Sequence, residues 1–166
     1  MKKFELTTET KVIFGITLYR IRALIAFGNV NAEELGGWIE KESNLSHDGN
    51  AWVSGNAQVS GDARVYGDAQ VYGNAEVYGN ARVYGDAEVN NSVHLMTVGA
   101  IGSRDGYTTF FRTKDKQIKV SCGCFLGTIA AFAEKVKQTH GDSKHAKTYA
   151  LAIELAKAQI EDVEVN

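Results

Sequence analysis

The stretch from Gly49 to Asn90 reads GNAWVS GNAQVS GDARVY GDAQVY GNAEVY GNARVY GDAEVN, seven consecutive hexapeptides without a break. A short fixed period marks a solenoid, because each unit can bury its apolar face only against its neighbours. Ala and Val stand two apart in every hexad, so they point the same way along a short strand and suit a narrow interior. The Gly-Asn or Gly-Asp pair supplies each corner. The fourth and sixth positions are expected to face outward. The period continues in degraded form through NSVHLM (91–96) and TVGAIG (97–102), and Leu45, six residues before Ala51, is in phase with it.

Stacking the hexads in threes separates three faces. The first holds GNAWVS, GDAQVY and GDAEVN, with Asp68 beside Asp86. The second holds GNAQVS, GNAEVY and NSVHLM, which sets His94 over Glu76. The third holds GDARVY, GNARVY and TVGAIG, with Arg64 over Arg82 and Tyr66 over Tyr84. Like charges in adjacent rungs repel unless something neutralises them. Tyr and Arg are also enriched in interface cores, so this face is a candidate contact surface.

The flanks are different in character. KVIFGITLYRIR suggests a β-hairpin, Lys11–Phe14 and Ile16–Arg22, turning at Gly15. Residues 28–48 form an irregular lead-in with a turn at Gly36-Gly37, so 1–48 is an N-terminal cap, 49–102 the repeat and 103–166 a C-terminal cap. In that last part a hairpin is expected, Tyr107–Arg112 and Ile118–Cys124 about a Lys114-Asp115-Lys116 turn. A helix over Ile129–Thr139 follows, with Thr128 as N-cap and Gly141 as stop, and then a second over about Lys144–Glu161 capped by Ser143.

The chain has 166 residues, net charge -2 and no proline, where average usage would give about eight. Paired strands and helices leave little room for a residue without an N–H. No apolar run is long enough to cross a membrane, and MKKFELTTET lacks a signal-peptide stretch, so a cytoplasmic protein is expected. Cys122 and Cys124 are the only cysteines; they are expected to lie buried on one side of a strand, with no further ligand pair to complete a metal site.

Residues 104–147 carry nine Lys/Arg against four acids, the only basic segment. Within it Arg104, Tyr107, Thr108, Thr109, Arg112, Lys114 and Lys119 combine cations, hydroxyls and an aromatic ring. That mixture suits a small anionic, nucleotide-like ligand. A further candidate is His94 with Glu76 as a general base and its orienting carboxylate. His140 and His145 flank the turn between the helices and read as helix-end residues.

The hexads resemble the repeat of left-handed parallel β-helices, many of which are trimeric acyltransferases. That resemblance implies about three triangular coils, and for an enzyme an acyl-CoA co-substrate with a histidine base. The uninterrupted repeat lacks the active-site loop usual in such enzymes. Together LYRIRAL (18–24), LGGWIEKESNLS (35–46), IGSRDGYTTFFRTKD (101–115) and CGCFLGTIAAF (122–132) with THGD (139–142) resemble small hexapeptide-repeat proteins of phages and prophages. This implies a mainly β fold with N- and C-terminal caps, and a homo-oligomer, a trimer by resemblance. The expected function is non-enzymatic binding without a cofactor. A phage setting implies an inhibitor of a bacterial defence system, which sequesters an anionic ligand or masks a host protein or nucleic-acid surface. Self-assembly as a structural protein is the remaining alternative.

Overall fold

In a computed structural model the chain is mainly β with two helices, and residues 1–160 are described. It forms two compact units, one ending at Ser92 and one beginning at Val93.

The first unit opens with β1 (Phe4–Ile13) and β2 (Ile16–Ala23), paired antiparallel, with a register shift between Leu6 and Thr10. Next comes β3 (Leu35–Ile39), in a segment whose Gly36-Gly37 pair suggested a turn. The glycines are there for space instead. A Cβ on Gly36 would lie 2.5 Å from Ile21 Cγ1, and one on Gly37 2.8 Å from Val53 Cγ1. Strand β3 pairs antiparallel with β2 on one edge and parallel with the repeat on the other.

The hexads form seven two-residue strands: β4 (Trp52–Val53), β5 (Gln58–Val59), β6 (Arg64–Val65), β7 (Gln70–Val71), β8 (Glu76–Val77), β9 (Arg82–Val83) and β10 (Glu88–Val89). They assemble as β4-β7-β10, as β3-β5-β8, and as β6-β9, each parallel and in register. Partners such as Trp52, Gln70 and Glu88 are 18 residues apart, so three hexads return the chain to the same face. Every Ala and Val of the repeat is buried, each Val contributing roughly 1.5–3 kcal/mol. The fourth position faces outward in most hexads, but Trp52 is buried and meets the Phe27 ring edge-on at 5.4 Å. At the corners the glycines are left-handed. Gly49, for example, has φ +70°, and a Cβ there would lie 2.4 Å from the Gly67 carbonyl oxygen.

The turn before the repeat breaks the 18-residue spacing. Trp38 pairs with Gln58 and Leu45 bridges to Val65, both 20 residues apart. The 3-10 turn Glu42–Asn44 lies in this longer coil. Leu45 therefore occupies a Val position, not the Ala position its phase suggested.

The top rung lacks a strand on two faces, and buried side chains replace it. Asn44 Nδ2 donates to the Gly61 and Ala63 carbonyls at 3.0 and 2.8 Å. Lys3 Nζ donates to the Gly49 and Ala51 carbonyls at 3.2 and 2.8 Å. In the next rung the equivalent carbonyls of Gly67 and Ala69 accept backbone N–H groups from Ala51 and Trp52. Asn44 and Lys3 thus satisfy acceptors that would otherwise be buried and unpaired.

The second unit is an antiparallel sheet, β11 (Leu95–Ile101), β12 (Gly106–Arg112), β13 (Ile118–Cys122) and β14 (Phe125–Thr128), in that order. Residues 95–101, expected as degraded hexads, form a long strand beside β12. The Gly-Asn/Asp corner is missing there, so nothing turns the chain every six residues. The expected C-terminal hairpin is part of this larger sheet.

Helices α1 (Ile129–His140) and α2 (Lys144–Gln159) pack on the sheet around Phe110, Val120, Phe132, Tyr149 and Ile153. Thr128 Oγ1 accepts from the Ala131 N–H at 3.2 Å and Ser143 Oγ from the Ala146 N–H at 3.4 Å, so both caps stand where the sequence places them. Gly141 ends α1 at φ +55°. Glu161, in the expected span of the second helix, lies outside the described residues. Among those described, no helix is long and apolar enough to cross a membrane.

Candidate functional site

Strands β6 and β9 place Arg64 directly beside Arg82, with Val65 and Val83 turned into the core. Both arginines are exposed. One residue on, the Tyr66 and Tyr84 rings stack with centroids 4.4 Å apart and planes 24° apart. A stacked aromatic pair of this kind is worth about 0.5–1.5 kcal/mol beyond its buried area. The four residues that the face analysis singled out thus form one continuous patch.

A cavity of about 560 Å³ opens on this patch, lined by Arg64, Tyr66 and Arg82 and, from the loop before the repeat, by Glu42, Ser46 and His47. The lead-in loop reaches this face because the 20-residue first coil ends on Leu45, against Val65.

His47 is held at three points. Its Nδ1 accepts the Lys3 backbone N–H at 3.2 Å, which makes Nε2 the protonated nitrogen, and Nε2 lies 2.7 Å from Glu42 Oε1. The ring also stacks on Phe4 at 4.3 Å. The Glu42 carboxyl is held below its ordinary range, chiefly by the His47 hydrogen bond and with help from Lys2, whose Nζ lies 3.3 Å away. This is a histidine–carboxylate pair, but the lone pair a general base would use is already bound to a backbone N–H. The pair fixes the loop, and Glu42 and Asp48 stand in the cavity wall as two carboxylates beside the two guanidiniums. The chemistry that remains is that of binding: two guanidiniums for an anion and stacked rings for a planar group.

The other candidates are distributed differently. Glu76 sits on β8, which is the last strand of its sheet, and its N–H donates to Ser92 Oγ at 3.3 Å. His94 is buried at the end of the 3-10 turn Ser92–His94, not on a rung. The stacking that set His94 over Glu76 required the hexad period to run past Asn90, and it does not.

In the basic segment, β12 separates the predicted ligand residues between its two faces. Thr108 is buried with its hydroxyl donating to Cys122 Sγ at 3.2 Å, and Thr109 and Arg112 are buried as well. Tyr107 is half exposed, Arg104 and Lys114 lie in turns, and Lys119 pairs with Phe111 on β13. Alternation along the strand puts Tyr107 and Thr109 on one face with Lys119 and puts Thr108 and Arg112 on the other, so the set is divided. Cys122 closes β13 half-buried, whereas Cys124 is exposed in the following turn. Cys124 is therefore not the buried strand residue expected. Burial pushes the Tyr149 hydroxyl up to about 12, with the neighbouring Cys122 adding to the effect. His140 ends α1, but His145 lies in the first turn of α2, and both rings sit within 6 Å of a histidine or tyrosine neighbour. Among the described residues no group of three or more His, Cys, Asp or Glu could hold a metal ion.

Sequence reasoning missed His47 and Glu42 as partners of the Arg/Tyr face. The visible signal was Leu45, an apolar residue in the lead-in whose true phase is two residues off the hexads. No curated protein matches the chain. The family model described as the YdcK beta solenoid repeat matches it three times in succession, at residues 57–73, 69–83 and 75–91, and this stretch is a β-solenoid repeat.

Proposed function

We propose that the protein is a non-enzymatic binding protein that takes up an anionic, nucleotide-like ligand on the Arg64/Arg82 face. The observation that carries this reading is the cavity of about 560 Å³ that brings both in-register arginines together with Tyr66. Two guanidiniums one rung apart offer several N–H donors to a single anion. The stacked tyrosines add a surface for a planar base.

The remaining parts of the reading rest on resemblance. The solenoid is left-handed with about three coils, and the protein is a closed homo-oligomer, a trimer by analogy with other hexapeptide proteins. Phage origin makes the ligand a signal of a bacterial defence system, withdrawn from its receptor by sequestration. Supporting observations are the 18-residue spacing of paired strands and the small Ala/Val interior.

Calorimetry of the full chain with ATP, a cyclic dinucleotide and inorganic phosphate tests the binding site. We expect at least one nucleotide to bind, and Arg64→Ala with Arg82→Ala to weaken it at least tenfold. A wild-type protein that binds none of them, or a double variant that binds equally well, would sink the proposal.

A further inference from the structure

Away from the Arg/Tyr face, the β1–β2 hairpin ends in a turn whose residues conflict with its geometry. Phe14 and Gly15 are its two central positions, with φ +49° and +81°. Positive φ at both defines a type I′ turn, for which Asn-Gly is the favoured pair. A bulky residue in the first position is strained. Phe14 also gains nothing from burial, because its side chain is fully exposed at 102%. The turn thus holds an aromatic ring in water at the expense of its own backbone.

The surroundings of that ring are apolar. Tyr78 is 66% exposed and Ile16 is 38% exposed, and both line the same groove. Beside the tip a groove of about 440 Å³ runs between the hairpin and strands β5 and β8 of the same sheet, with Ile16, Leu18, Val77 and Tyr78 in its walls. Phe14 itself borders the groove. A projecting ring and a recess large enough to receive one therefore belong to the same patch.

We propose that this patch is the contact between two copies of the chain, paired about a two-fold axis. In an isologous interface the same surface meets itself, so a knob and a hole side by side on one copy become a reciprocal pair across the axis. The Phe14 ring of each copy enters the groove of the other. The area agrees with this. Phe14, Tyr78 and Ile16 together expose roughly 400 Å² of largely apolar surface, within the range of the largest patch on a monomer. A standard interface buries about 800 Å² per partner, of which some 56–65% is apolar, and so needs an apolar portion of this size. The polar margin would come from Gln58, Ser60 and Glu76, which line the same groove.

The test is native mass spectrometry of the full chain beside Phe14→Asn. Asn suits the left-handed turn position, so the variant is expected to melt no lower than wild type. With the trimer proposed above, we expect the wild type to be a hexamer of two trimers and Phe14→Asn to halve it to a trimer; without that trimer, the expected change is from dimer to monomer. A second variant, Tyr78→Glu, places a charge in the groove without touching the turn and is expected to halve the number as well. A wild type with one copy or any odd number of copies, a plain trimer included, overturns the inference, as does an oligomer of unchanged mass in either folded variant. A wild-type monomer carrying a bound apolar adduct in this groove would likewise overturn it.

Discussion

Lys3 Nζ lies 2.8 Å from the Ala51 carbonyl oxygen, the hydrogen-bond position that the Trp52 N–H fills for Ala69 one rung further along. A lysine side chain therefore does the work of a strand. Its burial and its place near the Phe27 ring, 4.6 Å from Nζ, follow from that role.

Replacement of Lys3 by Met keeps the apolar stem and removes the donor. The Gly49 and Ala51 carbonyls are then left unpaired, and a loss of about 1–3 kcal/mol is expected. Urea melts of the two proteins at pH 7 measure it.

The same side chain gives the protein a pH signature. Burial lowers the Lys3 ammonium from 10.5 to about 8, while Asp48 and Asp68 oppose the shift. Between those values the unfolded chain binds the proton that the folded chain has released, so stability rises with pH. The penalty for holding the charged form is complete below pH 8 and relieved by pH 10.5. The difference in stability between wild type and Lys3→Met is expected to grow in favour of wild type across this window. A difference that stays flat from pH 7.5 to 10.5 contradicts the assignment.

Asn44 performs the matching task on the Arg/Tyr face, and its Oδ1 also accepts the Lys41 N–H at 2.9 Å. Asn44→Ala removes three hydrogen bonds around a fully buried residue. A cost of about 2–4 kcal/mol is expected from one to three unsatisfied groups, seen as a lower thermal midpoint. Because this turn positions His47 and Glu42, nucleotide affinity should fall with it in any variant that remains folded.

Within the repeat, Ala69 has no exposure and belongs to the central strand hexad of its sheet. Ala69→Val adds two methyl groups to a filled interior. Overpacking is expected to cost about 1–3 kcal/mol, read from denaturant midpoints. An equally stable variant would mean that the solenoid interior has spare volume.

Thr128→Ala, at the start of α1, is expected to cost about 1 kcal/mol, since the hydroxyl satisfies the Ala131 N–H. A melt monitored by helical circular dichroism is the check.

The regular part of this chain was legible because one local rule repeats. Gly-Asn/Asp turns the chain, Ala and Val fill the inside, and the stacking of Arg64 on Arg82 and Tyr66 on Tyr84 follows by counting. Helix caps were legible for a similar reason, since Thr128 and Ser143 act on N–H groups three residues away. Legibility ended wherever contact partners were remote. Gly36 and Gly37 looked like a turn because their crowding comes from Ile21, Val53 and Trp52. Lys3 carries no local signal of its role, because the carbonyls it meets are more than forty residues away. His47 joined the Arg/Tyr face only through the two-residue excess of the first coil, and that excess depends on a 3-10 turn with no periodic signature. The stacking of His94 over Glu76 was misread for the opposite reason: a pattern was extended past the point where its corner residues stop.

The 18-residue return has a consequence for how such a chain can change in length. One added or deleted hexad advances everything after it by a single face, so Arg82 would no longer lie beside Arg64, nor Tyr84 beside Tyr66. The three faces also begin differently, on β3, on Asn44 and on Lys3, so they are not interchangeable. Viable length variants should therefore differ by whole turns of three hexads, and the natural unit of growth or loss in this molecule is 18 residues rather than six.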